Sequence, residues 1–307
     1  MNDRNLYHAC TKYLNNISKY TKYNNCIICI SNNDKYVVKN NLNNMYGLTN
    51  YLNSRGFNYI PNIIYHDNDN YIYKYINDIN YPENQKASDL IKLDAILHNK
   101  TVYFENITQD EIKEIYENIK DKIESTYNYY DELINVIENE VYPSPSFYLL
   151  ERNISSIFSC LNFCKINLEE WYKMISEKKE VRKVLLHNNL DVKHLVKNDD
   201  ITLISWDKAV FNLPIYDFIK LYKKSFNKYN FTELYKEYNK LFKLNKEEEL
   251  LLFINLFLPD KIIFTNNEMT NTINVSNLCN YLYITDKLFM ENKHENTKKE
   301  NNKINKE

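Results

Sequence analysis

Residues 185–217 constrain the fold more than any other stretch of the chain. They read LLHNNLDVKHLVKNDDITLISWDKAVFNLPIYD. An apolar run delivers His187, and a polar loop follows. Two short β-like pieces come next, His194–Val196 and Ile201–Ser205, and Trp206, Pro214, Tyr216 and Asp217 close the segment. Long helical periodicity surrounds these small strands, so the fold class is α+β rather than all-helical.

The N-terminal third is also strand-rich. Cys26–Ser31 and Tyr36–Lys39 are apolar, β-branched runs joined by Asn32-Asn33-Asp34, which reads as a hairpin. Residues 42–55 read as a helix with Gly56 as its C′ stop. Ile63–Tyr65 and Tyr71–Ile76 read as two further strands around the turn His66–Asn70, and Asn77–Asn80 as a connector. After it the pattern turns helical. Gln85–Asn99 forms one helix. Thr108 with Glu111 makes a capping box for a second, running from Gln109 to about Val141 and ended by Pro143 and Pro145. Further helices are expected at 146–164, 167–179, 214–228, 231–242, 246–258 and 272–290. The tail 291–307 mixes Lys, Glu and Asn with almost no apolar residue and reads as disordered.

The 185–217 segment resembles the aminoglycoside phosphotransferase/choline kinase family. That family's pattern is H-G-D, Asn five residues later, I-D-W or I-D-F, then P-x-Y-D. In this register His187 stands at the family His, Asn189 at the catalytic Asp, and His194 and Ser205 at the metal-binding Asn and Asp. Trp206, Ala209, Pro214, Tyr216 and Asp217 keep the family's offsets. The resemblance implies a bilobal protein-kinase-like fold: a small β-rich N-lobe (1–78), a large helical C-lobe (79–290) carrying the catalytic-like loop, and the tail 291–307. It implies a structural role for His187 and a buried, loop-bracing role for Asp217. It makes Lys39 the strand-three lysine that holds nucleotide phosphates. Read by itself, Lys39 is a solvated strand-end lysine. The long helix before the catalytic-like loop resembles the insert of the family's bacterial spore-coat branch.

The positions that carry the chemistry are altered. Phosphoryl transfer needs positioning, metal ions and a carboxylate that orients or deprotonates the acceptor hydroxyl. Asn189 cannot serve as the base, which typically contributes about 10²–10⁴-fold in rate. Ser205 offers a neutral hydroxyl where Mg²⁺ takes an anionic oxygen, and the imidazole of His194 suits other metals better. Residues 42–55 hold no Asp or Glu to pair with Lys39. The chain's two glycines, Gly47 and Gly56, lie outside any phosphate-covering turn. Asp207 is a substitute carboxylate, since residues two apart share a strand face; its alternative is a helix-entry or loop aspartate.

Composition narrows the partners. Net charge is −2 with a pI near 6.3 and no basic stripe, which gives nucleic acid no electrostatic footing. The apolar stretch Leu250–Leu258 is far shorter than the ~20 residues of a membrane span. The N-terminus lacks the apolar run of a signal peptide. Cys26-x-x-Cys29 sits in an apolar strand-like run with no second pair at zinc spacing, so buried free thiols in a reducing cytoplasm are expected. Asn fills roughly a sixth of the chain and Tyr numbers 28, a bias that fits an AT-rich genome. These observations predict a pseudokinase with a structural, scaffolding or ligand-binding role toward an unknown protein or small molecule. The alternative is an unconventional phosphotransferase acting through Asp207 and Lys39. ATP and Mg²⁺ are cofactors only in that second case.

Overall fold

The computed structural model of the chain describes residues 3–23, 26–41, 43–79 and 81–304. In chain order its elements are α1 (Asp3–Tyr13), β1 (Ile17–Tyr23), β2 (Cys26–Ser31), β3 (Asp34–Asn40), α2 (Met45–Ser54), β4 (Ile63–His66), β5 (Asn70–Lys74), α3 (Glu83–Thr101) and β6 (Tyr103–Asn106). Then come α4 (Gln109–Glu138), α5 (Pro145–Ser176), β7 (Glu180–Leu186), β8 (Leu195–Lys197), β9 (Ile201–Leu203), β10 (Val210–Asn212), α6 (Ile215–Ser225), α7 (Phe231–Leu241), α8 (Lys246–Phe257) and α9 (Glu268–Ile304). The chain divides into two compact units. The first holds residues 1–103, 184–212 and 240–242; the second holds 104–183, 213–239 and 243–307.

The first unit is built on an antiparallel five-stranded sheet in the order β1-β2-β3-β5-β4. The expected hairpin forms with Ser31 opposite Asp34, leaving Asn32 and Asn33 as a two-residue loop. Both have positive φ (48° and 68°), as a type I′ turn requires. Strand alternation then sorts the residues. Ile27, Val38 and Ile72 pair across β2, β3 and β5 and, with Cys29, pack under Ala9 and Cys10 of α1. The opposite face carries the row Cys26, Lys39 and Tyr71.

Helix α2 ends as the sequence predicts. Gly56 has φ +72°, its N–H reaches Asn53 O at 2.9 Å, and the Phe57 N–H reaches Leu52 O at 2.9 Å, the paired bonds of a Schellman cap. A Cβ at Gly56 would meet only Lys100 Nζ, at 3.7 Å. Gly56→Ala should therefore lose stability through backbone strain alone, by about 1–2 kcal/mol. A denaturant titration in which the midpoint stays put would refute this account of the cap.

The second unit is helical. The capping box at Thr108 and Glu111 forms as expected. Its aromatic core includes Tyr130, Tyr222, Tyr235, Tyr238 and Tyr281, each buried with its hydroxyl engaged. The Tyr235 hydroxyl, for example, donates to Glu249 Oε1 at 2.9 Å. Among the described residues, no helix is long and apolar enough to cross a membrane.

The structure departs from the sequence reading in several places, with α1, β6 and β10 among the elements it adds. Strand β1 was not expected, because ISKYTKY shows no buried face; it is an exposed edge strand. With strand β1 in place, the hairpin turn at 32–33 is no longer the first strand connection of the sheet; residues 24–25, between β1 and β2, lie outside the described residues, as do Leu42 and Asn80. The two helices predicted over 146–179 are one helix, α5. No Gly or Pro interrupts it, and its buried stripe runs unbroken through Leu150, Ile157, Leu161, Cys164, Leu168, Trp171 and Ile175. Helix α9 continues to Ile304, into the tail read as disordered, since Lys, Glu and Asn without Pro or Gly let a started helix propagate. Residues 305–307 lie outside the described residues.

Candidate nucleotide-binding site

The site belongs to the first unit. Lys39 is the last residue but one of the central strand β3 and is buried, not solvated as it reads in isolation. Its ammonium is paired with Asp207 Oδ2. The hydroxyl of Tyr71, its neighbour on β5, donates to Asp207 Oδ1 at 3.3 Å. Burial first, and then the Asp207 charge, push the Tyr71 phenol well above its ordinary value, so it stays a neutral donor. Asn43 Nδ2 fastens the turn by donating to the Asp207 carbonyl at 2.7 Å.

Asp207 reaches Lys39 by a route other than strand alternation. Strand β9 stops at Leu203, and Trp206–Lys208 form a single 3-10 turn. Ser205 precedes that turn in the left-handed region, φ 69° and ψ 49°. A non-glycine residue rarely sits there, and strain of this kind clusters at functional sites. The helix-entry reading of Asp207 thus comes nearer the observed geometry than the strand-face argument does.

The catalytic-like loop is fastened by its histidines. Strand β7 pairs with β10 through Leu186–Val210 and Leu185–Phe211, and delivers His187 to a fully buried position. The His187 ring donates from Nε2 to Ile204 O at 2.9 Å and lies edge-on to Trp206, with centroids 4.7 Å apart. His194 donates from Nδ1 to Asn189 O at 2.8 Å. The Ile204 N–H returns to His194 O at 2.9 Å. Asn188, at φ 60°, reaches Lys208 O with its side chain at 2.9 Å. These bonds tie His187, His194 and the Asn189 backbone to Ile204, which precedes Ser205, and tie Asn188 to Lys208, which follows the Asp207 that holds Lys39. Asp217 lies in the second unit, fully buried in the first turn of α6, where a helix N-terminus favours a carboxylate.

The donor set fits Mg²⁺ poorly. The Asp207 carboxylate is taken by Lys39 and Tyr71, Ser205 supplies a neutral hydroxyl, and His194 is tied to the loop backbone. Sequence reasoning missed Tyr71, Asn43 and Cys26. Tyr71 and Cys26 are identified by their register opposite Lys39, which only strand pairing reveals. Cys26 is half-buried there; burial raises its thiol pKa, with Lys39 opposing.

No protein-family model matches the sequence, and no curated protein matches it significantly. The fold is nevertheless shared with solved structures. An aminoglycoside phosphotransferase from Alicyclobacillus acidocaldarius superposes with a TM-score of 0.66 at 10% identity, covering 96% of this chain and 97% of that one. Spectinomycin phosphotransferase bound to AMP gives 0.53 at 12% identity over 92% and 97%. The same enzyme with ADP and spectinomycin gives 0.51 at 13% over 93% and 98%. With its small antiparallel sheet and its large set of helices, the chain has the protein-kinase-like fold of the aminoglycoside phosphotransferases.

Proposed function

We propose that this chain is a pseudokinase, a kinase-fold protein that binds a protein or small-molecule ligand and does not transfer phosphate. One observation carries the reading. Lys39, the residue a nucleotide phosphate would need, is neutralised by Asp207 from within the same unit. Asn189, His194 and Ser205 meanwhile occupy the base and metal positions that the resemblance assigns. A nucleotide remains a candidate ligand, because the solved spectinomycin phosphotransferase carries AMP or ADP. The reading includes no nucleic-acid or membrane partner, since a net charge of −2 gives polyanions and anionic lipids little attraction. It also places the protein in a reducing cytoplasm, where unbridged cysteines are the ordinary state.

A calorimetric titration with ATP, with and without Mg²⁺, tests the proposal. Binding should be absent or equal in the two series. The second reading, phosphotransfer through Asp207 and Lys39, is favoured by the carboxylate that Asp207 brings beside the lysine. It requires Mg²⁺ to tighten ATP binding in the wild type and Asp207→Asn to abolish that tightening. Under the pseudokinase reading the same variant frees Lys39 from its ion pair. It should then bind ATP at least as well as the wild type, still without metal dependence.

A further inference from the structure

We propose that Cys10 and Cys29 form a reversible disulfide that fastens the first helix to the sheet of the first unit. The two sulfurs lie 2.7 Å apart, each on a residue with no exposed surface. Cys10 comes from α1 and Cys29 from the face of β2 that packs beneath it, among Ala9, Ile27, Val38 and Ile72. Cys26 stands three residues before Cys29 on the same strand, so alternation turns it to the opposite face. The Cys26-x-x-Cys29 spacing is therefore not the redox pair; the partner comes from another element. Among the described residues, no further His, Cys, Asp or Glu joins the two sulfurs into a metal-binding group.

The chemistry follows from the environment. The Cys10 thiol and the Cys29 sulfur share a hydrogen bond that holds Cys29 below the ordinary thiol value, and that bond together with burial holds Cys10 far above it. Cys29 stays on the sheet when α1 lifts Cys10 away, so it is the sulfur that meets an oxidant first. Helix α1 has only 11 residues, a length at which a helix is marginal without its packing, so it opens locally at low cost. Opening admits a small disulfide such as oxidised glutathione. The Cys29 thiolate attacks one of its sulfurs, the small S–S bond breaks, and one glutathione thiolate leaves. As α1 closes, Cys10 attacks the Cys29 sulfur of the mixed disulfide and releases the second glutathione. Two electrons pass from the protein thiols to the small disulfide, and the two thiol protons end on the two glutathione molecules. The new bond closes a loop between residues 19 apart, which restricts the unfolded chain. This inference does not depend on the nucleotide reading.

The experiment uses the full chain equilibrated in oxidised and reduced glutathione. Remaining thiols are blocked, the protein is digested without reductant, and peptides are read by tandem mass spectrometry. The expected product joins the Cys10 and Cys29 peptides, with the intact mass lowered by two hydrogens. The melting temperature should rise by roughly 5 °C or more, and reductant should reverse the change. Cys26→Ser should keep both effects. Cys10→Ser and Cys29→Ala, made separately in case one folds poorly, should each lose them. A Cys26–Cys29 bond would overturn the proposal. So would glutathione retained on Cys10 or Cys29, or two thiols still free after oxidation in mild denaturant that opens α1.

Discussion

ATP hydrolysis and phosphorylation of small alcohols by the purified protein should fall far below ordinary kinase rates of about 1–100 s⁻¹. On the pseudokinase reading, an amide at Asn189 in place of a base alone removes about 10²–10⁴-fold. The other losses fall on the same transition state: no carboxylate at Ser205, a Lys39 ammonium already paired with Asp207, and no acid on α2 to take that lysine instead. Groups acting as a unit do not subtract independently, so the deficit is not the simple product of single losses. The restoring variant is the sharper measurement. Asn189→Asp, His194→Asn and Ser205→Asp together return the family residues. The backbone suits the last of these, because Asp tolerates the left-handed conformation found at Ser205. This triple variant should gain Mg²⁺-dependent ATP binding before it gains turnover, since Lys39 remains held. Wild-type turnover within the ordinary range would end the pseudokinase reading and turn attention to Asp207 as metal ligand.

The segment 185–217 stands out in the sequence because its polar and aromatic residues keep fixed offsets; in the structure His187 and His194 fasten the loop backbone at Ile204 and Asn189, while Asp207 pairs with Lys39. Strands β2 and β3 were legible through their apolar runs and the two asparagines of the turn. Strand β1 was not, since an edge strand with both faces wet has no pattern to read. The sequence reading places two helices where α5 is one; the continuity is a property of the buried stripe, which packing creates. The Lys39–Asp207 pair joins residues 168 apart, and the Cys10–Cys29 contact joins a helix to a strand face. Neither has a local signature. The strand-face argument aimed Asp207 at the right place by the wrong path, because a left-handed residue and a 3-10 turn replace the strand there.

Trp206→Ala should be among the most damaging substitutions in the first unit, costing about 3–5 kcal/mol of folding stability, as full truncation of a buried Trp does. The side chain is wholly buried, its Nε1–H donates to Leu203 O at 2.7 Å, and its ring meets Phe57 edge-on at 6.0 Å as well as His187. Truncation opens a cavity beside the His187–Ile204 bond and leaves the Leu203 carbonyl without its indole donor. A domain's total stability is only about 5–15 kcal/mol, so the loss consumes a large share of it. Trp206→Phe keeps most of the packing but not the indole N–H and should cost less, about 1–3 kcal/mol. Urea unfolding of the two variants gives the comparison, and a midpoint for Trp206→Ala equal to that of the wild type would refute the packing role. Asn189 and Ser205 differ from Trp206 in what a substitution there should cost. Trp206 and His187 hold the backbone together whether or not phosphate is transferred, so losing them has a folding cost. Asn189 and Ser205 are only half-buried, so a carboxylate exchanged for an amide or hydroxyl there alters chemistry with little effect on folding.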